Sequence, residues 1–362
     1  MVNKKIGILI GVIVLIAVLV GAYSLLGTSS ANQIRVGYLP STGDSLYFIA
    51  KEKGFFADEG LDVTLNEFQT GPDEINALLA DKLDVEAGGV GEPLNFINNG
   101  KDLVIIGGAM GGDSAVIAKD NATATATKNN PKAFEGKTVA TVKMSTPDVT
   151  IKGALSEAGV NLSKVNFVEF KTAADVVQAV KTGKAPIGFV WPPFQYTAQQ
   201  QGLVIVKYSD EYIPNHPCCR IVTTSAKVNG SEDKWVKFER ALIKAYDYYK
   251  TNQTGTVEVV GKYVNMDPKA LKQALYDGHL SLSPDPNKKG TLKYWDLLEV
   301  LGYSNITNPT ALENSINTDL YKKALDQLAQ ENPKNTNYQD LLKLYQEQNV
   351  NVTFSSVANK SS

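Results

Sequence analysis

The chain has 362 residues, 43% of them hydrophobic and 20% charged, with a formal net charge of −2. That length exceeds one ordinary core, so two lobes are expected, and the composition is that of a soluble globular protein. The near-neutral balance, with no run of Lys and Arg interleaved with aromatics, excludes nucleic acid as a partner. Arginine occurs only at Arg35, Arg220 and Arg240.

Lys4 and Lys5 precede an uncharged run from Ile6 to Leu26, long enough to span a bilayer. The two lysines hold the N-terminus inside and place the rest outside. Residues 1–32 therefore read as a signal peptide or membrane anchor, with Ser29-Ser30-Ala31 as a weak cleavage-site match. The mature part is expected to be extracytoplasmic, at the cell surface or in the periplasm, membrane-anchored or secreted.

The first folded stretch is QIRVGYLPSTGDSLYFIAKEKGFFADEGLDVTLNEFQ, Gln33 to Gln69. Ile34 to Leu39 alternates as a strand, Pro40 to Asp44 is a turn-rich loop, and a helix follows with Leu46, Ile49 and Ala50 on one face. Leu61 to Phe68 alternates again, completing a parallel βαβ unit. Pro72 to Lys82 reads as a helix, Asp84 to Gly89 as a strand, Pro93 to Asn99 as a short helix and Leu103 to Gly108 as a strand. Gly111-Gly112 breaks the pattern and marks a first crossing between lobes. Asn121 to Asn130 is Thr/Ala-rich and reads as a surface loop.

The second lobe alternates in the same way. Lys137 to Val142, Val165 to Phe170, Pro186 to Val190 and Leu203 to Lys207 are its strands. Ser145 to Ala158, Ala173 to Thr182 and the stretch after Trp191-Pro192-Pro193 are its helices. Ile221 to Ala226 reads as the return crossing. From Ser231 onward the chain is helical. The expected division is 33–112 with 225–330 as a discontinuous lobe one, 113–224 as lobe two, and 331–362 as a C-terminal helix and tail.

The opening strand ending in Gly-Tyr-Leu-Pro, with "KEKGFFADEGLDVTL", "FEGKTVAT" (Phe134 to Thr141) and "APIGFVWPPF" (Ala185 to Phe194), resembles the solute-binding proteins of ABC importers. The subgroup it resembles handles nitrate, sulfonates, taurine and the pyrimidine precursor of thiamine. The resemblance implies a two-lobed, periplasmic-binding-protein-like (type II) α/β fold with a hinge of two crossing segments. It also implies a permease partner and binding without catalysis.

Ligand positions in such a fold are strand ends and helix starts, where free N–H groups favour an anionic head. The candidates are Tyr38, Thr42 and Asp44 after the first strand, Gln69 and Thr70 after the second, and Gly89, Val90 and Glu92 after the third. Ser145, Thr146 and Trp191 are the candidates in lobe two. Thr70, Ser145 and Thr146 also read as ordinary helix caps, and Trp191 as plain core. Glu92 and Asp44 would repel an anion if they faced the cleft; they point away or contact an ammonium group on a zwitterionic ligand.

Cys218 and Cys219, the only cysteines, adjoin His216 and Arg220. The pair reads as a vicinal disulfide or thiol pair at the cleft, as buried core, or as soft metal ligands. Arg220 could fork onto a sulfonate or carboxylate.

The leading expectation is a monomeric receptor that delivers a small organic anion, sulfonate or taurine-like, to an ABC importer, with no cofactor and no metal. The alternatives are an enzyme or precursor-binding protein of the thiamine-pyrimidine type on the same fold, and a metal or redox protein centred on Cys218-Cys219. No nucleotide-binding fingerprint is present.

Overall fold

The computed structural model describes residues 32–305 and 309–354. The expected N-terminal segment and the end of the C-terminal tail lie outside the described residues. Among the described residues no helix is long and apolar enough to cross a membrane.

Two sheets form the frame. β1 (Gln33–Tyr38) and β2 (Asp62–Glu67) pair in parallel, Gln33 opposite Asp62 and Tyr38 opposite Glu67, as the βαβ reading requires. β3 (Val104–Gly112) crosses to the second sheet, which holds β4 (Ala115–Ala118), β5 (Thr138–Thr141), β6 (Asn166–Glu169), β7 (Ile187–Val190) and β8 (Val204–Tyr208) in the order β6-β5-β7-β4-β8. β9 (Pro217–Thr223) returns to pair antiparallel with β3, and β10 (Leu280–Leu282) flanks β3 on its other side. The stretch after Leu83 stitches β1 to β9: Val36 bridges Val85, Glu86 bridges Val222, and Gly89 bridges Cys219. The first sheet therefore runs from β2 to β10 through this short link.

Apolar faces explain the layers. The helices Ser45–Glu52 and Glu232–Thr251 bury Tyr47, Phe48, Trp235 and Phe238 against the first sheet, with the Phe56 and Phe238 rings stacked at 5.2 Å. Two smaller clusters cover the faces of the second sheet, one around Phe134, Ile151 and Phe189, the other around Val176, Val180 and Ala198. Side-chain caps start many of the helices: Thr70 accepts from the Asp73 amide, Thr172 from that of Asp175, and Asp267 from those of Lys269 and Ala270.

Several boundaries differ from expectation. Asn121–Lys128 is a helix and not a loop, because Asp120 caps it and Ala124 and Thr127 bury one face. The chain returns to the first sheet at Pro217, ahead of Ile221, because β9 is already in register with β3 there. The segments linking the sheets are thus Asp113-Ser114 and 209–216. They are tied to each other: the Ser209 amide donates to the Ser114 carbonyl at 2.7 Å, and the Ser114 amide donates to Ser209 Oγ at 3.2 Å. His216 Nε2 lies 2.8 Å from Ser209 Oγ. Gly112 has φ +70, and a Cβ there would sit 2.2 Å from the His279 carbonyl oxygen, so no other residue fits that corner.

The lobes meet closely. The helix Thr146–Glu157 of the second sheet lies against the helix Lys288–Val300, where Val149 and Ala154 share a core with Leu94, Trp295 and Leu297. The Thr336–Asn349 helix packs Tyr338, Leu341 and Tyr345 onto the first lobe's core, so it is part of that body.

Candidate functional site

The seam between the sheets is built from the loop that follows Val85. The expected strand Asp84 to Gly89 is only a set of isolated bridges, and Glu86 Oε2 accepts from the Gly88 amide at 2.5 Å. Val90 then donates its amide to the Cys218 carbonyl at 2.8 Å and leads into the Gly91–Asn98 helix. From across the seam the Thr146 hydroxyl donates to the same Cys218 carbonyl at 3.4 Å. One backbone oxygen of β9 thus joins the loop after Glu86 to the start of the second lobe's helix.

Carboxylates crowd this place. A Cβ on Gly88 would lie 2.8 Å from Glu86 Oε2 and 3.4 Å from Glu74 Oε2; one on Gly89 would lie 3.1 Å from Glu92 Oε2 and 3.5 Å from Thr146 Oγ1. Glycine at both positions is what lets the acids and the loop share the space. Glu74 and Glu86 are fully buried, and Asp44 is 2% exposed. Burial raises all three carboxyl groups, Glu86 to about 8; repulsion from neighbouring acids adds to it at Glu74 and Glu86, and repulsion from Cys218 at Asp44. Burial also pushes Glu92 up to about 7. Both oxygens of Glu74, Oε1 of Glu86 and Oδ1 of Asp44 have no hydrogen-bond partner. Thr42 Oγ1 and the Tyr294 hydroxyl are likewise buried without a well-formed bond.

The expected site residues divide into groups. Asp44, Gly89, Val90, Glu92, Thr146, Cys218 and Cys219 come together around this seam, and Thr42 opens the short turn that carries Asp44. Ser145 starts the same helix but turns its hydroxyl back to the Val142 carbonyl at 2.7 Å. Gln69 and Thr70 are exposed, and Thr70 is occupied capping its helix. Tyr38 packs edge-on against Phe48 and Tyr263, with its hydroxyl towards Glu67 at 3.4 Å. Trp191 packs with Phe194 against the second lobe's own core.

Cys218 is buried in the first core, and its Sγ lies 3.7 Å from that of Cys219, so the two are thiols in hydrogen-bond contact. That contact lowers the Cys218 thiol and raises that of Cys219. Among the described residues no group of three or more His, Cys, Asp or Glu is placed to hold a metal ion. His216 is buried, bonded to Ser209, and held down to about 4 by that burial.

Arg220 is 3% exposed, and its guanidinium donates to the Met110 carbonyl at 3.3 Å and to that of Asp285 at 3.4 Å. It faces a separate cavity of about 210 Å³ beside the second crossing, lined also by Asp210, His216, His279 and Asp285.

Sequence reasoning missed Glu74, Glu86 and Tyr294. Glu74 sits among the apolar residues of an amphipathic helix, and its signal is weak. Glu86 had one: a carboxylate between Val85 and Ala87 in an apolar strand is a buried charge that asks for a partner.

Residues 43–255, more than half of the chain, match the family described as NMT1/THI5 like, and the chain belongs to that family. A Bacillus subtilis protein assigned to aliphatic sulfonate binding is 27% identical over 288 residues, covering 73% of this chain and 81% of that one. The periplasmic nitrate-binding protein of Synechocystis superimposes with a TM-score of 0.71 at 15% identity, covering 83% of this chain and 89% of that chain. The periplasmic aliphatic sulphonate binding protein of Escherichia coli does so at 0.68 and 17%, covering 81% and 100%. The fold is therefore the two-lobed one of periplasmic binding proteins.

Proposed function

We propose that this chain is the extracytoplasmic solute-binding component of an ABC importer, which holds one small molecule between its lobes and presents it to a membrane permease. The observation that carries the reading is the seam: two α/β bodies joined by two linking segments, with unsatisfied polar side chains buried where they meet. Buried polar atoms without partners are rare in a finished fold, and a ligand is one thing that satisfies them. Membership of the NMT1/THI5-like family and the assignment of the Bacillus subtilis relative support the same reading. Closure about the segments 113–114 and 209–216 would remove the solute from water. We further take the chain to act as a monomer and as a carrier without catalytic turnover.

Melting the purified protein with a dialysable small-molecule cell extract tests this. A bound solute at a hundred times its Kd adds about 2.7 kcal/mol of stability, a shift of several degrees. An unchanged melting curve, together with an unchanged X-ray scattering profile, would remove the proposal.

A further inference from the structure

The class of solute can be read from the seam's electrostatics, an inference that rests on the solute-binding reading above. We propose that the seam receives a solute whose buried end is a cation or a multiple N–H donor, such as an ammonium, guanidinium or amidinium group, and not an oxyanion.

Glu74, Glu86 and Asp44 leave four carboxylate oxygens without a donor, all inside the protein. Among the described residues no lysine, arginine or histidine forms an ion pair with any of these three or with Glu92; the charges that act on Glu74 are Glu86, Asp44 and Glu92. Among the described residues several other carboxylates are compensated, while Asp113 keeps Oδ2 without a partner although Gln195 and Tyr196 donate to its Oδ1. Asp148 pairs with Lys152 at 2.7 Å, Asp84 with Arg35 and Lys227 at 2.9 Å each, and Asp285 accepts twice from Asn349. Glu239 is also without partners but stands apart, beneath Gly107. The seam is where uncompensated acids gather.

A second observation comes from a different element. The Tyr294 hydroxyl, on the helix Lys288–Val300, is 1% exposed and lies 3.2 Å from where a Cβ on Gly91 would be, beside Glu92. It interacts weakly with Thr146 and makes no well-formed hydrogen bond. It is an independent polar group beside Glu92 and Thr146, where it can accept an N–H.

An isolated buried carboxylate costs several kcal/mol, and truncating one partner of such a pair is strongly destabilising. A ligand carrying N–H donors into this space would answer the acids with charge-assisted hydrogen bonds. An oxyanion would bring no compensating charge and would hold these acids in their protonated form. The guanidinium of Arg220 does not change this, since it donates to two carbonyls and faces the other cavity. A protonated carboxyl can donate to an oxyanion, and the anion arm of the experiment covers that case.

The test is calorimetric titration of the purified protein with agmatine, guanidine and ethylamine on one side and ethanesulfonate, nitrate and acetate on the other, with taurine as a zwitterion. The expected result is one-to-one binding within the cationic set and none within the anionic set. Glu74→Gln with Glu86→Gln should weaken that binding at least about tenfold while melting no lower than the parent near neutral pH, because each Gln has the shape of the buried protonated acid and no proton to hold. Binding of the anions alone overturns the inference and leaves the receptor reading standing. Cation binding that survives the double substitution unchanged also overturns it, by placing the site elsewhere. Binding of neither set, with the cell extract inert as well, removes both readings.

Discussion

Glu92 gives the sharpest test of how the seam is charged. Its carboxyl rises from 4.5 to about 7 because burial disfavours the charged form. The folded chain thus keeps a proton between about pH 4.5 and pH 7 that the unfolded chain has released. The contribution to stability is fully present below the unfolded value, and it is lost as pH rises through the folded value. At about 1.4 kcal/mol per pH unit the full swing is about 3 kcal/mol. Glu92 is only part-buried along the seam, and solvent screening cuts this to about 1–2 kcal/mol. Glu92→Gln keeps the shape and the hydrogen-bonding capacity of the neutral acid but has no proton to lose. The melting temperature of the variant relative to the parent should therefore climb by about 2–4 °C between pH 4 and pH 8. Scanning calorimetry across that range measures it. A difference that stays constant with pH would refute the reasoning, because the carboxyl would then titrate alike in both states.

Other outcomes follow from neighbouring contacts. Tyr303 donates to Asp148 at 2.8 Å and accepts from Lys152 at 2.8 Å, tying the second lobe's helix to the C-terminal body. Tyr303→Phe should therefore loosen the closed form and weaken solute binding about 5–10-fold, roughly 1 kcal/mol, with a melting change under a few degrees; calorimetric titration would show this, and unchanged affinity would detach Tyr303 from closure. Arg220→Ala should lower stability by about 3 kcal/mol in chemical denaturation, since it strips donors from the buried Met110 and Asp285 carbonyls; a loss below 1 kcal/mol would mean those groups find water. In the cysteine pair, Cys218→Ser puts a hydroxyl into the apolar core and should cost about 1–3 kcal/mol, whereas Cys219→Ser at a half-buried position should cost less; the reverse order in urea unfolding would contradict the packing described.

Much of the fold was legible in the sequence because its periodicity is strong. The parallel unit of Gln33 to Gln69 and the strand-helix alternation of the second lobe fall where apolar spacing and cap residues put them. The Asn121–Lys128 helix was missed because its Thr/Ala composition mimics a loop, and only the Asp120 cap and two buried side chains reveal it. The return of the chain at Pro217 was hidden because Pro-Cys-Cys-Arg carries no strand pattern; its register comes from β3. The site was half legible. Strand ends and glycines pointed to Gly89, Val90 and Glu92, but spacing cannot tell whether a carboxylate on a helix face has a partner. Glu74 looks like any solvated helix acid until the Gly88 loop closes over it. Conversely Gln69 and Thr70 stand at a strand end and yet face solvent, because Thr70 caps its own helix.

A single small solute held between the lobes by the seam's acids should add its mass to the folded chain. Native mass spectrometry of the purified protein, after incubation with the small-molecule extract, tests it most directly. The predicted result is a folded chain carrying one additional small molecule, released on unfolding and not retained by the Glu74→Gln, Glu86→Gln variant. A folded chain with the mass of its sequence alone, or an adduct kept equally by that variant, would contradict it.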